Sequence, residues 1–176
     1  MNQTDPFITY REENREDRAM LAALRRGLGQ PAGAVPEVSR YVQRRLAQDA
    51  PRYLEEAYYL IAPLFGLHAL AGGQGDMGNH FAALCEPGED PPSNVERRFV
   101  GLLAAHSDDL PDYLRQAVSL LKAKDIPVNW QRLLADVLAW GHHDDTWRIN
   151  VHKRWSRNFW RKRTTSSDAA QTEPAA

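Results

Sequence analysis

Cysteine is almost missing from this chain: Cys85 is the only one in 176 residues. That excludes an internal disulfide and a thiolate zinc cluster, and it suits a reducing compartment. Flanked by Leu84 and Glu86, Cys85 reads as a small core or boundary residue. Long apolar runs are missing too. None approaches the ~20 residues needed to cross a bilayer, and Met1 to Asp17 is polar with no apolar signal-peptide centre. The expectation is a water-soluble, cytoplasmic chain with no membrane partner. Val, Ile and Thr are sparse and no period-2 stretch is long enough for a strand, so the fold class expected is all-α. No phosphate-binding loop is present, because Gly72-Gly73-Gln74-Gly75 neither follows a strand nor leads into Lys-Ser/Thr. There is no glycine-bracketed serine nucleophile, and Cys85 has no positioned base. The reading is a protein without catalytic residue or cofactor, not an enzyme.

What is present is enough apolar sequence for a core: 43% hydrophobic against 26% charged residues places the chain among globular proteins. About eight helices follow from the apolar spacing. The first covers 17–28 on Met20, Leu21, Leu24 and Leu28, ending at Gly27 to Gly29, and the second covers about 37–48. A third starts at Pro51 and reaches Leu70, with a kink or split expected at Pro63. A short helix covers 77–84. Ser93 with Glu96 reads as a capping box for the fifth helix. Asp108 or Asp109 opens the sixth, which Ile126-Pro127 stops, and Asn129 caps the seventh. The last runs from about Asp144 to Arg161. Pro87, Gly88, Pro91 and Pro92 mark a connector, so the expected organisation is two packed helical subdomains, 1–86 and 93–163, followed by a disordered tail, 164–176.

The net charge of −1 hides an uneven distribution. Residues 12–17 carry Glu12, Glu13, Glu16 and Asp17 against Arg15. By contrast, residues 148–163 carry Arg148, Lys153, Arg154, Arg157, Arg161, Lys162 and Arg163 with no acid. A patch of that kind can bind polyanions whatever the total charge. At 100° per residue Trp147, Val151, Trp155 and Phe159 fall on one arc of the last helix, expected to pack, and Lys153, Arg154, Arg157 and Arg161 on the next. A solvated or acid-paired face is the alternative reading of that stripe. Shorter cationic sets are Arg25-Arg26, Arg44-Arg45, Arg97-Arg98, and Arg115 with Lys122 and Lys124. Adjacent arginines favour bidentate phosphate contact. The run His142-His143-Asp144-Asp145 has the look of a metal-dependent phosphohydrolase doublet. No further acid follows before the tail, where Asp168 lies, so the ligand set is incomplete and no metal is expected. Asp144 and Asp145 read instead as the cap of the last helix.

The basic sets sit in segments that together resemble a known family, the small subunit (CasB family) of the type I-E CRISPR surveillance complex, Cascade. The segments are Ala23-Leu24-Arg25-Arg26-Gly27-Leu28-Gly29, Gly78-Asn79-His80-Phe81, Ser93-Asn94-Val95-Glu96-Arg97-Arg98-Phe99, Leu110 to Lys124, and Ile126-Pro127-Val128-Asn129-Trp130 through Trp155. The resemblance spans roughly Leu21 to Trp160. It implies an all-helical, non-catalytic subunit present as a pair of copies. Its partners would be guide RNA, the target and non-target DNA strands, and the backbone and large subunits of the complex. Its role would be to stabilise the displaced strand of the R-loop. It carries nucleic-acid contacts onto Arg25, Arg26, Arg97, Arg98, Arg115, Lys122 and Lys124. The last helix adds Arg148, Lys153, Arg154, Arg157 and Arg161 from its charge pattern. The alternative function is a protein adaptor whose basic helix docks on an acidic partner, with Trp147, Trp155 and Trp160 as anchors. A helix-turn-helix regulator ranks third, since the cations are spread over five helices.

Overall fold

The computed structural model describes residues 4–70, 72–142 and 144–161. Among the described residues there are helices and no strands: α1 (Pro6–Glu13), α2 (Arg18–Arg25), α3 (Pro36–Gln43), α4 (Arg52–Leu67), α5 (Met77–Ala82), α6 (Ser93–Leu103), α7 (Leu110–Lys122), α8 (Trp130–Trp140) and α9 (Asp145–Trp160). The tail 164–176, with Lys162 and Arg163, lies outside them.

The central element is α4, which packs against α2, α3, α7 and α8, while α5 packs on α9 and α6 on α7. Its 16 residues include Pro63 without interruption, so of the kink or split expected there, the split does not occur. Proline removes the N–H that would bond the Tyr59 carbonyl and crowds that turn. The surrounding core holds the helix together regardless, since Ile61, Ala62, Leu64 and Phe65 are all buried. One hydrophobic core runs from Phe7 to Phe159 and takes residues from both sides of the 85–92 connector. Its aromatic centre is Phe99, with ring centroids 5.2 Å from Phe81 and 4.2 Å from Phe159.

The helix ends follow side-chain chemistry in most places. Asp17 accepts from Met20 N, Asn129 from Arg132 N and Asp144 from Thr146 N, which satisfies otherwise orphaned first-turn donors. Ser93 is a correction: it is the first helical residue, Pro92 occupies the cap, and no side chain caps α6. Its expected partner Glu96 instead accepts from Trp160 Nε1 at 3.1 Å. The capping box sits at α5, where Asp76 and Asn79 exchange side-chain and backbone bonds.

Helix α1 was absent from the sequence reading. Asp5 caps it through Phe7 N (2.8 Å), Phe7 stacks on Tyr58 with centroids 3.7 Å apart, and Gln131 clamps Asp5 through both its N and O. Arg11 is fully buried and makes no ion pair with a carboxylate among the described residues. Its guanidinium lies 3.4 Å from the Phe7 ring centroid and donates to the Phe7 and Tyr41 carbonyls. Burial, then the neighbouring Arg45, lowers its pKa to about 9, so it remains cationic at neutral pH.

The loop 72–76 lies against residues 126–129. Here Asn129 N donates to His80 Nε2 at 3.1 Å, and His68 Nε2 meets the Ile126 carbonyl at 2.8 Å. The His80 lone pair is thus used in its neutral form. Burial, against the pull of Asp76, lowers its pKa from 6.5 to about 4. Between those values the unfolded chain binds the additional proton. This contribution is therefore complete above pH 6.5 and is lost as pH falls towards 4. At 1.36 kcal/mol per pKa unit it amounts to roughly 3 kcal/mol. Denaturant unfolding of wild type and His80→Gln between pH 7 and 4 checks this: wild type should lose roughly that much more stability than the variant. Equal losses would mean His80 titrates normally.

Candidate nucleic-acid interface

All the cations predicted as contacts but Arg25 separate into three groups by what they touch. Those with a partner on their own surface are Arg26 with Glu37 (2.6 Å), Arg115 with Asp112 (3.0 Å) and Arg148 with Asp145 (2.8 Å). Such exposed pairs are worth little, about 0–1 kcal/mol, and open readily to a stronger anion. Arg25 uses Nε to bond the Gly66 carbonyl at 2.8 Å, fastening the end of α2 to α4.

Arg154 alone forms the second group, because it faces inward. Its guanidinium bonds Asp76 Oδ2 at 3.1 Å and Asp136 Oδ1, while Asp136 Oδ2 accepts from the buried Trp155 Nε1 at 2.7 Å. Asn158 adds a bond to Asp76 Oδ2 at 2.9 Å, and Arg132 lies 3.0 Å from Asp136 Oδ1. Both carboxylates are buried, with side chains 3% exposed. Burial pushes the Asp136 carboxyl up, while Trp155, Arg154 and Arg132 hold it down. The arrangement locks α9 to α8 and to the start of α5. Sequence reasoning missed Asp76, Asp136 and Asn158.

The third group carries no ion pair among the described residues and is exposed: Arg97 and Arg98 on α6, Lys122 at the end of α7 with Lys124 just beyond it, Lys153 and Arg157 on α9, and Arg161 at its C-terminal cap. Lys153 and Arg157 are one turn apart and opposite the buried stripe of Val151, Trp155 and Phe159. Like charges at that spacing repel, by a few tenths of a kcal/mol, until an anion arrives. On α7, Lys122 shares a flank with Arg115 at i, i+7. Arg115 in turn lies beside the loop after Arg26, lining a groove with Gly27, Gly29 and Pro31. The start of α7 therefore lies against the loop that follows the first basic set, while Arg25 and Arg26 themselves are engaged by the Gly66 carbonyl and Glu37.

Two expectations about the last helix need correcting. Trp147 is 53% exposed at the first turn of α9, where its ring lies 5.0 Å from that of His142 and outside the core; Trp155, at 1% exposure, is core and not a docking anchor. Trp160 is half-exposed, against Phe99. Among the described residues no cluster of three or more His, Cys, Asp or Glu is placed to hold a metal ion, and His143 lies outside them. No helix of the described residues is long and apolar enough to cross a membrane.

Fold and surface together define a class: an all-helical chain of net charge −1 that carries, on and beside α6, α7 and α9, exposed cations without an ion pair among the described residues, as do Arg18, Arg40, Arg44 and Arg45 on and beside α2 and α3. Comparison with known proteins places that class. The family described as CRISPR-associated protein Cse2 matches residues 20–160. The CRISPR-associated protein Cse2 of Thermus thermophilus is 38% identical over 144 residues, covering 81% of this chain and 79% of that protein. The crystal structure of CasB from Thermus thermophilus aligns with a TM-score of 0.72 at 30% identity, over 88% of this chain and 95% of that one. CasB from M. ruber aligns at 0.64 and 28% identity, over 93% and 98%. A chain of a CRISPR RNA-guided surveillance complex shares the fold at 0.71 and 18% identity, over 96% of each. The chain belongs to the Cse2 family of CRISPR-associated proteins.

Proposed function

We propose that this chain is a non-catalytic subunit of an RNA-guided antiviral DNA-binding complex, that it grips nucleic-acid backbone, and that it stabilises the displaced non-target strand of the R-loop. Its partners are guide RNA, both DNA strands, the backbone and large subunits, and a second copy of itself. The observation that carries the reading is the set of exposed cations without ion pairs on α6, α7 and α9 of a chain whose net charge is −1. R-loop formation is nearly balanced energetically, so a few phosphate contacts decide whether the open state persists. Backbone contacts of this kind need no base-specific chemistry.

The test is binding of the purified protein to single- and double-stranded DNA across a salt series. Wild-type affinity should fall steeply with salt and vary little with sequence. For single strands, Arg97→Ala/Arg98→Ala should flatten the slope of log K against log salt by roughly 1.4, two contacts at about 0.7 each. Salt-insensitive or strictly sequence-specific binding would contradict the reading.

The exposed Trp147 and Ile149 at the start of α9 favour a second reading, a basic helix docking on an acidic protein partner. Its signature is partner binding that survives competing DNA.

A further inference from the structure

Size alone does not identify the surface feature suited to a nucleic-acid chain. A groove of about 480 Å³ between α4, α7 and α8 is lined by Glu56 and Asp108 and by no cation. The groove that holds Arg115, about 220 Å³, also holds that residue's own partner Asp112. A third cleft, about 300 Å³ between α6 and α7, differs in kind. Its lining includes Phe81, Arg97, Arg98, Gly101, Tyr113 and Gln116, and no acidic residue. That volume lies at the lower end of the ~300–1,000 Å³ of small-ligand sites.

Resting on the backbone-binding reading above, we infer that this cleft is a nucleotide subsite. In it, an unpaired base of a single strand stacks on Tyr113 while Arg97 and Arg98 take the adjoining phosphate. Tyr113 is an aromatic ring left 36% exposed on the solvent side of α7, whose buried face is Leu110, Leu114, Ala117, Val118 and Leu121. Its position is set by Gly101, where a Cβ would stand 3.1 Å from Tyr113 Cε1. The ring therefore leans on bare α6 backbone, which fixes its plane without covering it. Gly101 follows Arg97 by four residues and Arg98 by three, so both guanidiniums rise from the same side of α6 within a turn of that contact. Glu96, the acid next to them in sequence, accepts from Trp160 Nε1 and makes no ion pair with either arginine. Phe81, fully buried and packed on Phe99, gives the cleft a rigid apolar wall. Gln116, one turn after Tyr113, offers an amide to a base edge. An aromatic face beside backbone-directed cations is the chemistry that recognises single strands independently of sequence. The chemistry also fits a strand already unpaired and not a duplex, whose bases are stacked on each other.

The test measures salt-dependent binding of full-length protein to a labelled DNA single strand and to an abasic strand of equal length. The proteins compared are wild type, Tyr113→Ala, Tyr113→Phe and Arg97→Ala/Arg98→Ala, with the helical circular dichroism of each checked against wild type. Tyr113→Ala should weaken binding of the base-carrying strand roughly 5- to 100-fold, the range of alanine substitutions at stacked bases. It should leave the abasic strand and the salt slope unchanged. Tyr113→Phe should behave as wild type, and the double arginine variant should weaken both strands. Equal weakening of both strands by Tyr113→Ala, or none, overturns the subsite while leaving backbone binding intact. So does a Tyr113→Ala protein that binds DNA normally but no longer joins its protein partners, which would make the occupant a protein side chain. If wild type binds neither strand in a salt-dependent way, the backbone-binding reading itself fails and takes the subsite with it.

Discussion

Asp136→Ala should lower the unfolding free energy by about 3–5 kcal/mol, the range measured when one partner of a buried ion pair is removed. At about 2–4 °C per kcal/mol for a chain of this size, the melting temperature should fall by roughly 6–20 °C. The reason is what remains behind. Without Asp136, Arg154 keeps only Asp76, Trp155 Nε1 has no acceptor inside the core, and Arg132 loses its nearest carboxylate. The Arg154 side chain is 32% exposed, so water relieves part of its loss. Trp155 is 1% exposed and gets no such relief. Asp145→Ala, which breaks the exposed pair to Arg148, should cost less than about 1 kcal/mol and serves as the control. Denaturant midpoints at neutral pH decide the matter. A loss below about 1 kcal/mol for Asp136→Ala would mean the carboxylates are hydrated and the network contributes little. It follows that a DNA-binding defect in Arg154→Ala reports a displaced α9 and not a missing phosphate contact.

Gly78→Ala should be as damaging, through sterics. A Cβ on Gly78 would land on the backbone carbonyl oxygen of Trp155, and a backbone atom cannot rotate aside as a side chain can. Alanine normally gains up to about 1 kcal/mol over glycine inside a helix. Here α5 must instead move off α9, opening the contacts among Phe81, Phe99 and Phe159. Overpacking typically costs 1–3 kcal/mol, and with backbone as the obstacle the expected loss is at least about 3 kcal/mol. Gly33→Ala isolates the other reason for glycine. It has φ of +78° with nothing within 4 Å of an added Cβ, so it should cost only the left-handed strain of about 1–2 kcal/mol. Equal small losses at both positions would show that α5 and α9 can separate freely.

Both predictions concern contacts that local patterns could not reveal. The apolar stripes of α6 to α9 and the Asn129 cap were readable because each depends on spacings within one or two turns. The Asp76–Arg154 bond joins residues 78 positions apart, and nothing near Asp76 distinguishes it from a surface cap. Helix α1 escaped notice because its buried face is Phe7, Ile8 and Arg11. A charge on that face breaks the pattern until Phe7 and the Tyr41 carbonyl are seen to receive it. The continuity of α4 through Pro63 had the same origin, since tertiary packing overrides a local cost. The site was half legible. Residue type picked out Arg97, Arg98, Lys122, Lys124, Lys153, Arg157 and Arg161 as candidates, and all are exposed, yet it could not separate them from the inward Arg154, which has the same local setting as Arg157. Nor could it single out Tyr113, whose exposure depends on Gly101 across the α6–α7 contact.

The most direct measurement of the central claim is the lifetime of the R-loop held by the assembled guide-RNA complex, followed by reannealing of the displaced strand. Wild-type protein would be compared with Arg97→Ala/Arg98→Ala/Lys122→Ala/Lys124→Ala, a variant that leaves the Asp76–Arg154–Asp136 network and the core intact. If these cations hold nucleic-acid backbone, the variant complex should still assemble but its R-loop should close faster, with the deficit shrinking as salt is raised and the wild-type contacts are themselves screened. An R-loop of unchanged lifetime at low salt, in a complex that contains the variant at full occupancy, would contradict the account and leave these faces to protein neighbours.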